Sequence, residues 1–347
     1  MPGTEATIEV VLGRLNGDLA DEVLSFRRGR AEAKEAFHRE ELPRTVCVAR
    51  DEAGAIVGVS SVRAGTPRPP ARAIWVYRDD LGDGWESARP QLFTATFDAL
   101  EAEFDPDQPT PLGLCRLPSD PAEIASRPEA IWPEEGLIFG GHLTDGRQVR
   151  IRWFWDAPAE AGLPNSMKLD QALAMDWSID ERYRVEPFGG DTETANQILA
   201  LWEREGAVRP DAEARRRVHE ALNVVIDRDE GVIALSTAYV RRNSQLDLNL
   251  WYFRTFVAAE HRNTHIATQL TMHNRDLLEQ RFLNGEDTQA AGVAFELENQ
   301  GMRKYINTAI WQPVDFIYIG DTDRGVPVRV HYFPGARVPS PPATGPG

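Results

Sequence analysis

The stretch V-A-A-E-H-R-N-T-H-I-A, from Val257 to Ala267, joins two segments with different periodicities. The residues before it, from Leu246 to Phe256, alternate polar and apolar side chains and continue into an aromatic run, which predicts a long β-strand. The residues from Thr264 to Gln280, which overlap the end of this stretch, predict a helix. A strand that turns directly into a helix leaves several backbone N–H groups unpaired and pointing the same way. Together with the helix dipole, these groups predict a site for pyrophosphate.

The elements around this loop predict a mixed sheet. A short strand at 183–187, a helix that Thr192 can cap, a second charged helix, a hairpin and the long strand precede the loop helix, and a strand, a short helix and two strands follow it. The order is β-α-α-β-β-β-α-β-α-β-β. The predicted fold class is therefore α/β, with a mixed, mostly antiparallel sheet that carries helices on both faces.

The chain also repeats itself at separations of 176 to 179 residues. V-C-V-A-R-D-E at 46–52 parallels V-V-I-D-R-D-E at 224–230, and the tripeptide A-I-W occurs at 130–132 and again at 309–311. Matches in the same order at a nearly constant separation indicate a tandem duplication. We predict a first domain at 6–157, a connector at 158–182, a second domain at 183–337 and a disordered tail at 338–347, which has too few apolar side chains to anchor it.

The loop of the second copy resembles that of the GNAT superfamily of acyl-CoA-dependent N-acyltransferases, whose pattern is Gln/Arg-x-x-Gly-x-Gly/Ala after a Val-x-Pro element. Arg262 and Ala267 fall at the spacing of that family, whereas Ala259 replaces its proline and His265 its first glycine. The resemblance implies an acyl-CoA co-substrate, most simply acetyl-CoA, and needs no metal. The residues expected to bind it are Phe256, Val257, Arg262, Asn263, Thr264, His265, Ile266, Ala267 and Asn299.

The same resemblance implies an acid and a base for direct transfer of an acyl group to an amine. The family's usual acid is a tyrosine in the short helix after the second splayed strand, and Tyr305 matches it. Glu298 stands where the family has an asparagine, and Asn299 follows it. Glu296 and Glu298 alternate with Phe295 and share one strand face, so either is a candidate base. Two solvated glutamates on an exposed face remain the alternative interpretation.

The first copy lacks these features. Gly84, Trp85 or Glu86 stands opposite Arg262, within an acidic stretch that begins at Asp79, and Ser126 stands opposite Tyr305. We therefore predict that the first domain is structural and that its acidic loop is exposed. Strand alternation places Trp153 and Trp155 on one buried face with Phe154 on the other.

The composition narrows the range of partners. The formal charge is −16 and the pI is near 5.0, which disfavours binding to a long phosphate backbone. Two isolated cysteines predict neither a disulfide framework nor a zinc site. His261 and His265 are four residues apart, but no carboxylate or cysteine cluster completes a metal-ligand set around them. Without a signal peptide or a long apolar run, the sequence predicts a cytoplasmic protein that makes no membrane contact.

The leading functional prediction is an acyl-CoA-dependent N-acyltransferase that acts on the amine of a small metabolite. Two alternatives remain open. Duplicated GNAT-like folds also occur in aminoacyl-tRNA-dependent transferases, and Arg215, Arg216, Arg217, Arg241 and Arg242 could supply a basic patch for a tRNA donor. A non-catalytic binding protein, in which both copies have degenerated, is the other.

Overall fold

The structure, a computed structural model, describes residues 5–29, 39–160, 163, 167, 169–208, 212–262 and 264–338. It divides into two compact units with the boundary between Pro158 and Ala159, here called unit 1 and unit 2. Asn263 and most of the predicted tail, from 339 onward, lie outside the described residues. Within the described ranges, no helix combines the length and the hydropathy needed to cross a bilayer.

Unit 1 is built on an eight-stranded sheet in the order β1-β2-β3-β4-β5-β8-β7-β6. Only β4 and β5 are paired in parallel, and the other neighbours are antiparallel. Its strands are β1 (Thr7–Val10), β2 (Thr45–Arg50), β3 (Ile56–Gly65), β4 (Ile74–Leu81), β5 (Gly113–Arg116), β6 (Ile131–Trp132), β7 (Leu137–His142) and β8 (Gln148–Trp153). Its helices are α1 (Gly17–Arg28), α2 (Arg89–Glu101) and α3 (Pro121–Ser126).

Unit 2 repeats this arrangement, with its eight strands in the order β9-β10-β11-β12-β13-β16-β15-β14. Its strands are β9 (Tyr183–Pro187), β10 (Ala221–Asp227), β11 (Gly231–Asn243), β12 (Leu248–Val257), β13 (Gly292–Glu296), β14 (Ile310–Trp311), β15 (Phe316–Asp321) and β16 (Pro327–Tyr332). Its helices are α4 (Leu169–Ala174), α5 (Thr192–Arg204), α6 (Ala212–Val218), α7 (Ile266–Leu283) and α8 (Gln300–Tyr305). The predicted mixed α/β fold is confirmed, and two sheets of identical strand order are consistent with a tandem duplication.

Helices pack on both faces of the sheet in unit 2. On the face here called the α5 face, Trp202 of α5 and Val218 of α6 pack in one apolar cluster with Leu235 and Phe256. On the opposite face, the α7 face, Ile266 and Leu270 of α7 pack with Val257 and with neighbours from β10 and β11. Because side chains alternate along β12, Tyr252 and Arg254 share the α5 face with Phe256, whereas Phe253 and Thr255 share the α7 face with Val257.

Two helices of unit 2 begin or end at residues that differ from the predicted ones. Asp191, not Thr192, caps α5, because its carboxylate accepts a hydrogen bond from the backbone N–H of Thr194 at 2.8 Å. Helix α7 starts at Ile266 and extends to Leu283, two residues later and three residues further than the sequence predicted. Both shifts are of the size expected for element ends, where propensity alone gives weak signals.

The prediction for the tryptophans near the end of β8 was half wrong. Trp153 and Phe154 are both buried, whereas Trp155 is 45% exposed. Strand β8 ends at Trp153, and Asp156 adopts a positive φ of 60° in the turn that follows. Alternation therefore does not extend to Trp155, whose backbone N–H donates to Glu101 at 2.8 Å instead.

Candidate active site

A wedge-shaped opening separates β12 from β13. The two parallel strands are in register only at Trp251 with Val293 and at Tyr252 with Ala294, and beyond this point they part. On its other edge β12 stays paired with β11 as far as Val257 with Ala234. The backbone groups of Phe253 to Val257 that point away from β11 therefore face the opening, where an extended ligand with amide groups could pair with them.

Aromatic side chains form the floor of this opening on the α7 face. Phe253 and Phe295 are the first residues of that face beyond the last paired residues, and their ring centroids lie 5.6 Å apart. Phe295 also contacts Phe316 at 5.1 Å and Trp311 at 5.6 Å. This floor is apolar and close-packed, so it keeps water away from a group held above it.

The predicted pyrophosphate loop lies at the wide end of the opening. Arg262 is exposed, and its Nε donates to the carbonyl of Val257 at 3.1 Å, which holds the guanidinium beside the end of β12. Gln269 is the first α7 residue whose N–H donates to a carbonyl one turn back, that of His265, at 2.9 Å. The N–H groups ahead of Gln269 belong to the open first turn of the helix, where an anion is favoured.

His265 replaces the family's glycine without strain. Its backbone has φ −79° and ψ 6°, so this position does not require the left-handed conformation that favours glycine. Its ring packs against Trp177, with the centroids 5.1 Å apart, and Gln269 donates to the carbonyl of Trp177 at 2.7 Å. The residues just before unit 2's first strand thus lie against the beginning of α7.

His261 is a buried support of the loop. Its Nδ1 lies 3.1 Å from the hydroxyl of Tyr183, and its Nε2 lies 3.4 Å from a carboxylate oxygen of Glu230. Asp227, Glu230 and His261 place one potential ligand atom each within 4.8 Å of one another. Arg182, however, hydrogen-bonds to Asp227 at 2.6 Å and holds the pKa of that carboxyl at about 2. The positive charge beside these carboxylates is therefore the Arg182 guanidinium. His261 and His265 have different partners and do not form a pair.

The predicted acid lies at the end of α8, the short helix after β13. Asn299 caps this helix, because its side-chain oxygen accepts from the N–H groups of Gly301 at 2.9 Å and Met302 at 3.2 Å. Tyr305 is the last helical residue and is 64% exposed. Its ring shares a shallow pocket with Trp311 of the aromatic floor and with Ala172 of α4. Asn299 is thus engaged within the protein, whereas Tyr305 lies beside the floor of the opening.

The buried guanidinium of Arg329 holds the segment that directly follows α8. Arg329 is fully buried, and its guanidinium donates to the carbonyls of Ile306, Thr308 and Ala309, which directly follow the helix. Burial lowers the pKa of Arg329 to about 10, so it stays charged at neutral pH.

A second contact joins the connector to α8. Arg303 donates to Glu160 through two nitrogens, one of them at 2.7 Å. Asn307, which is 1% exposed, donates to the carbonyls of Glu160 at 3.1 Å and Leu163 at 2.9 Å. The beginning of the connector therefore supports the helix that carries Tyr305.

The two glutamates predicted as bases do not share one strand face, because β13 ends at Glu296 and Glu298 lies beyond it, and their surroundings differ. Glu296 is 17% exposed and is held by ion pairs with Arg241 and, at 3.4 Å, Arg324. Glu298 is 67% exposed and contacts Arg324 at 3.3 Å. Of the two, Glu298 is the more exposed and contacts one arginine instead of two.

The equivalent opening in unit 1 is closed by ion pairs. Strands β4 and β5 stay in register for one residue pair more than β12 and β13, as far as Tyr77 with Arg116. Arg116 binds Glu123 of α3 through two hydrogen bonds at 2.6 and 2.8 Å. Arg89, the first residue of α2, contacts Asp79 at 3.0 Å and Glu123 at 3.6 Å. Arg89 at the beginning of α2 is thus joined to β4 through Asp79 and to β5 through Glu123, which binds Arg116.

The prediction that the acidic loop of unit 1 is exposed is confirmed for Asp83 and Glu86 but is wrong for Asp79 and Asp80. The side chain of Asp79 is 11% exposed and that of Asp80 is 20% exposed. Asp80 pairs with the buried Arg27 at 3.2 Å and with Arg78 at 3.1 Å. Tyr77, fully buried beside this network, has a pKa raised well above its ordinary value, chiefly by burial. The sequence showed the acidic residues but not the arginines that fold onto them.

The structure gathers the predicted residues at two places along the opening. Val257, Arg262, Thr264, His265, Ile266 and Ala267 lie at the loop, and Glu296, Glu298 and Tyr305 lie at the end of β13 or on α8. Phe256 instead packs in the apolar cluster beneath α5, and Asn263 falls outside the described residues. Sequence reasoning missed Arg254, Trp177 and Glu160. Alternation along β12 would have placed Arg254 correctly, whereas the contacts of the other two depend on tertiary folding.

No protein-family model matches the chain, and neither does any curated protein with which it was compared. Among solved structures, it is similar to the ribosomal-protein-S5-alanine acetyltransferase of Vibrio fischeri, with 11% identity, a TM-score of 0.33, and 46% of this chain and 98% of that one covered. A GCN5-related N-acetyltransferase from Kribbella flavida has 14% identity, a TM-score of 0.30, and coverages of 44% and 98%.

Arabidopsis thaliana NAA60, in complex with acetyl-CoA, has 15% identity, a TM-score of 0.29, and coverages of 44% and 99%. All three TM-scores lie below 0.5, so the chemistry has to be argued from the site itself. The chain is similar to GCN5-related N-acetyltransferases over a share close to one unit, and its two eight-stranded sheets are consistent with a tandem duplication.

Proposed function

We propose that unit 2 is an acyl-CoA-dependent N-acyltransferase that transfers an acyl group, most simply acetyl, directly to the amine of a small molecule. The observation that carries this proposal is the parting of β12 and β13 after two paired residues. This opening runs from the beginning of α7 to the side of α8, and it offers unpaired backbone groups along one edge. A pantetheine arm with its two amides matches such an edge, and a pyrophosphate matches the first turn of α7.

The residues present fit such a co-substrate. The loop provides N–H donors and the exposed guanidinium of Arg262 for phosphate oxygens. The Phe253 and Phe295 rings provide an apolar floor for the thioester end, and Trp311, which contacts Phe295, lines a pocket together with Tyr305.

The chemistry assigned to these residues balances as follows. The ammonium of the acceptor first gives one proton to Glu298, directly or through a water molecule. The amine nitrogen then bonds to the thioester carbonyl carbon, the carbon–sulfur bond breaks, and the departing thiolate takes a proton from the hydroxyl of Tyr305. The positive nitrogen of the new amide loses its second proton to solvent, from which Tyr305 is reprotonated, and Glu298 releases the proton that it took to solvent. The products are an N-acylated amine and free CoA.

Calorimetry with acetyl-CoA on the intact chain tests the proposal. We expect one site per chain, with the affinity lowered about tenfold or more in Arg262→Glu, because that substitution places a negative charge beside the phosphates. Arg228→Glu, an exposed substitution of the same charge in the β10–β11 turn, is the matched control and should leave the affinity unchanged. No binding, two equivalent sites, or equal effects of the two substitutions would contradict the proposal.

A further inference from the structure

The acceptor of the proposed transfer has one open side from which to approach. Helix α7 covers the face of the sheet that carries Phe253, Val257 and the aromatic floor. An acceptor must therefore enter the opening from the α5 face. On that face α5 and α6 cover Phe256 and Leu235, but Arg254, one step nearer the last paired residues, is exposed.

The register identifies the side chains on each side of this entrance. Tyr252 and Ala294 form the last residue pair of β12 and β13. Two residues further along each strand, and on the same face, come Arg254 and Glu296. These two side chains stand on opposite sides of the entrance, and they are not joined to each other: Glu296 pairs with Arg241 and Arg324.

Arg254 is a cation held in place without an acidic partner. Its guanidinium lies 4.8 Å from the ring centroid of Tyr239 and donates to the hydroxyl of that tyrosine at 3.3 Å. Tyr239 in turn stacks on the buried Tyr252. Within the part of the chain that the structure describes, no carboxylate forms an ion pair with Arg254, whereas Arg241 and Arg242 on the adjacent strand each have one. The guanidinium is thus preorganised and keeps donors for an anion from outside.

We propose that the acceptor is an amine that also carries a carboxylate, as a free amino acid does, with Arg254 binding the carboxylate and Glu298 receiving the ammonium. This inference rests on the proposed function. The entrance offers a cation on the β12 side and a carboxylate just beyond the end of β13, an arrangement complementary to a zwitterion. A planar guanidinium binds a carboxylate through two parallel hydrogen bonds, which fixes both the position and the direction of the molecule.

The test compares α-amino acids with their carboxamides, such as L-leucine with L-leucinamide and L-lysine with L-lysinamide. Release of CoA thiol from acetyl-CoA measures transfer by the intact chain. We expect kcat/KM to be about 10- to 100-fold higher for at least one acid than for its amide, the factor that a charge-paired hydrogen bond contributes. Arg254→Gln should remove that preference and leave the amide within about threefold, whereas Arg254→Lys should keep part of it.

The control variant is Arg242→Gln on the neighbouring strand, because Arg242 is 60% exposed and pairs with Asp247. It should leave the preference unchanged. Acids and amides that react equally, or an Arg254→Gln change that weakens acetyl-CoA binding instead, would overturn the inference.

Equilibrium binding decides the case in which none of these amines is acylated. If calorimetry then shows that the CoA-loaded chain binds the acids no more tightly than the amides, the inference is wrong while the proposed function stands on its CoA site. A chain that binds no acetyl-CoA removes the proposed function itself, and the inference with it.

Discussion

The two units have the same strand order, but their clefts differ in how the charged residues around them are paired. In unit 1 the arginines that could attract a phosphate are already paired: Arg116 with Glu123, and Arg89 with Asp79 at the beginning of α2. In unit 2 the equivalent helix begins with Ile266, and Arg262 beside it contacts a carbonyl but no carboxylate among the described residues. The ends of β4 and β5 in unit 1 are therefore joined to the following helices by ion pairs, whereas Arg262 beside the first turn of α7 has no such pair among the described residues.

The largest expected effect concerns the ion pairs that close the cleft of unit 1. Arg116 is 7% exposed, and Arg116→Met leaves Glu123 without its main cation. Removing one partner of a buried pair costs about 3–5 kcal/mol. Amide hydrogen exchange should therefore show β5 and β8 opening far more readily than in the unchanged chain, with β13 and β16 unaffected.

The double variant Arg116→Met with Glu123→Leu should recover most of the lost stability, because a buried pair replaced by apolar groups is often neutral. If the single variant costs less than about 1 kcal/mol, the ion pairs do not hold the cleft closed, and the contrast between the units has another cause.

The next effect concerns catalysis and compares the last residues of α3 and α8. Tyr305→Phe should lower kcat by about 10- to 1000-fold with little change in acetyl-CoA affinity, because a general acid acts on the departing group. Ser126→Ala, at the equivalent position of unit 1, should change neither quantity. A loss confined to KM would mean that Tyr305 holds the acceptor instead of donating a proton.

The smallest effect is a pH dependence present in unit 2 alone. His331 on β16 lies 2.7 Å from Glu279 of α7 and 3.4 Å from Asp315, whereas unit 1 has Arg152 at the equivalent place on β8. Burial lowers the pKa of His331, but the hydrogen bonds with Asp315 and Glu279 outweigh it and the pKa is raised. A raised folded-state pKa gives stability that is fully present below the unfolded value of about 6.5 and lost as the pH rises through the folded value.

Hydrogen exchange measured below and above that range should therefore show β16 losing protection with rising pH, after correction for the intrinsic exchange rate, while β8 keeps it. His331→Gln should remove the difference. Equal behaviour of the two strands in the unchanged chain would show that the charge on His331 contributes nothing to unit 2.

Much of the fold follows from local patterns in the sequence. The repeated A-I-W and R-D-E segments mark the same strands and turn in both units, and the long alternating segment became β12. Asparagine is a preferred residue at the N-cap of a helix. Asn299 directly precedes α8, so the sequence already suggested a capping role for it in place of cofactor binding. Alternation failed at Trp155 because periodicity does not reveal where a strand ends.

The cleft itself was harder to predict than the strands around it. Whether two parallel strands part depends on the pairs that span them, and Arg89 reaches a glutamate that is 34 residues away in the chain. A sequence shows that Asp79 and Arg89 are present but not that folding brings them together. The burial of Asp79, and with it the closing of unit 1's cleft, is a tertiary property.

The contacts of Glu160 and Leu163 with Arg303 and Asn307 also determine where a fragment containing unit 2 should begin. A fragment that begins at Tyr183, where the sequence places the second domain, lacks the carboxylate that neutralises Arg303 and the carbonyls that satisfy Asn307. Asn307 is 1% exposed in the intact chain, and the shorter fragment exchanges its two internal hydrogen bonds for bonds to water, at a net cost of about 0.5–1.5 kcal/mol each. A fragment that keeps all of these contacts begins at Ala159, the first residue of unit 2, whose N–H bonds to the carbonyl of Asn307.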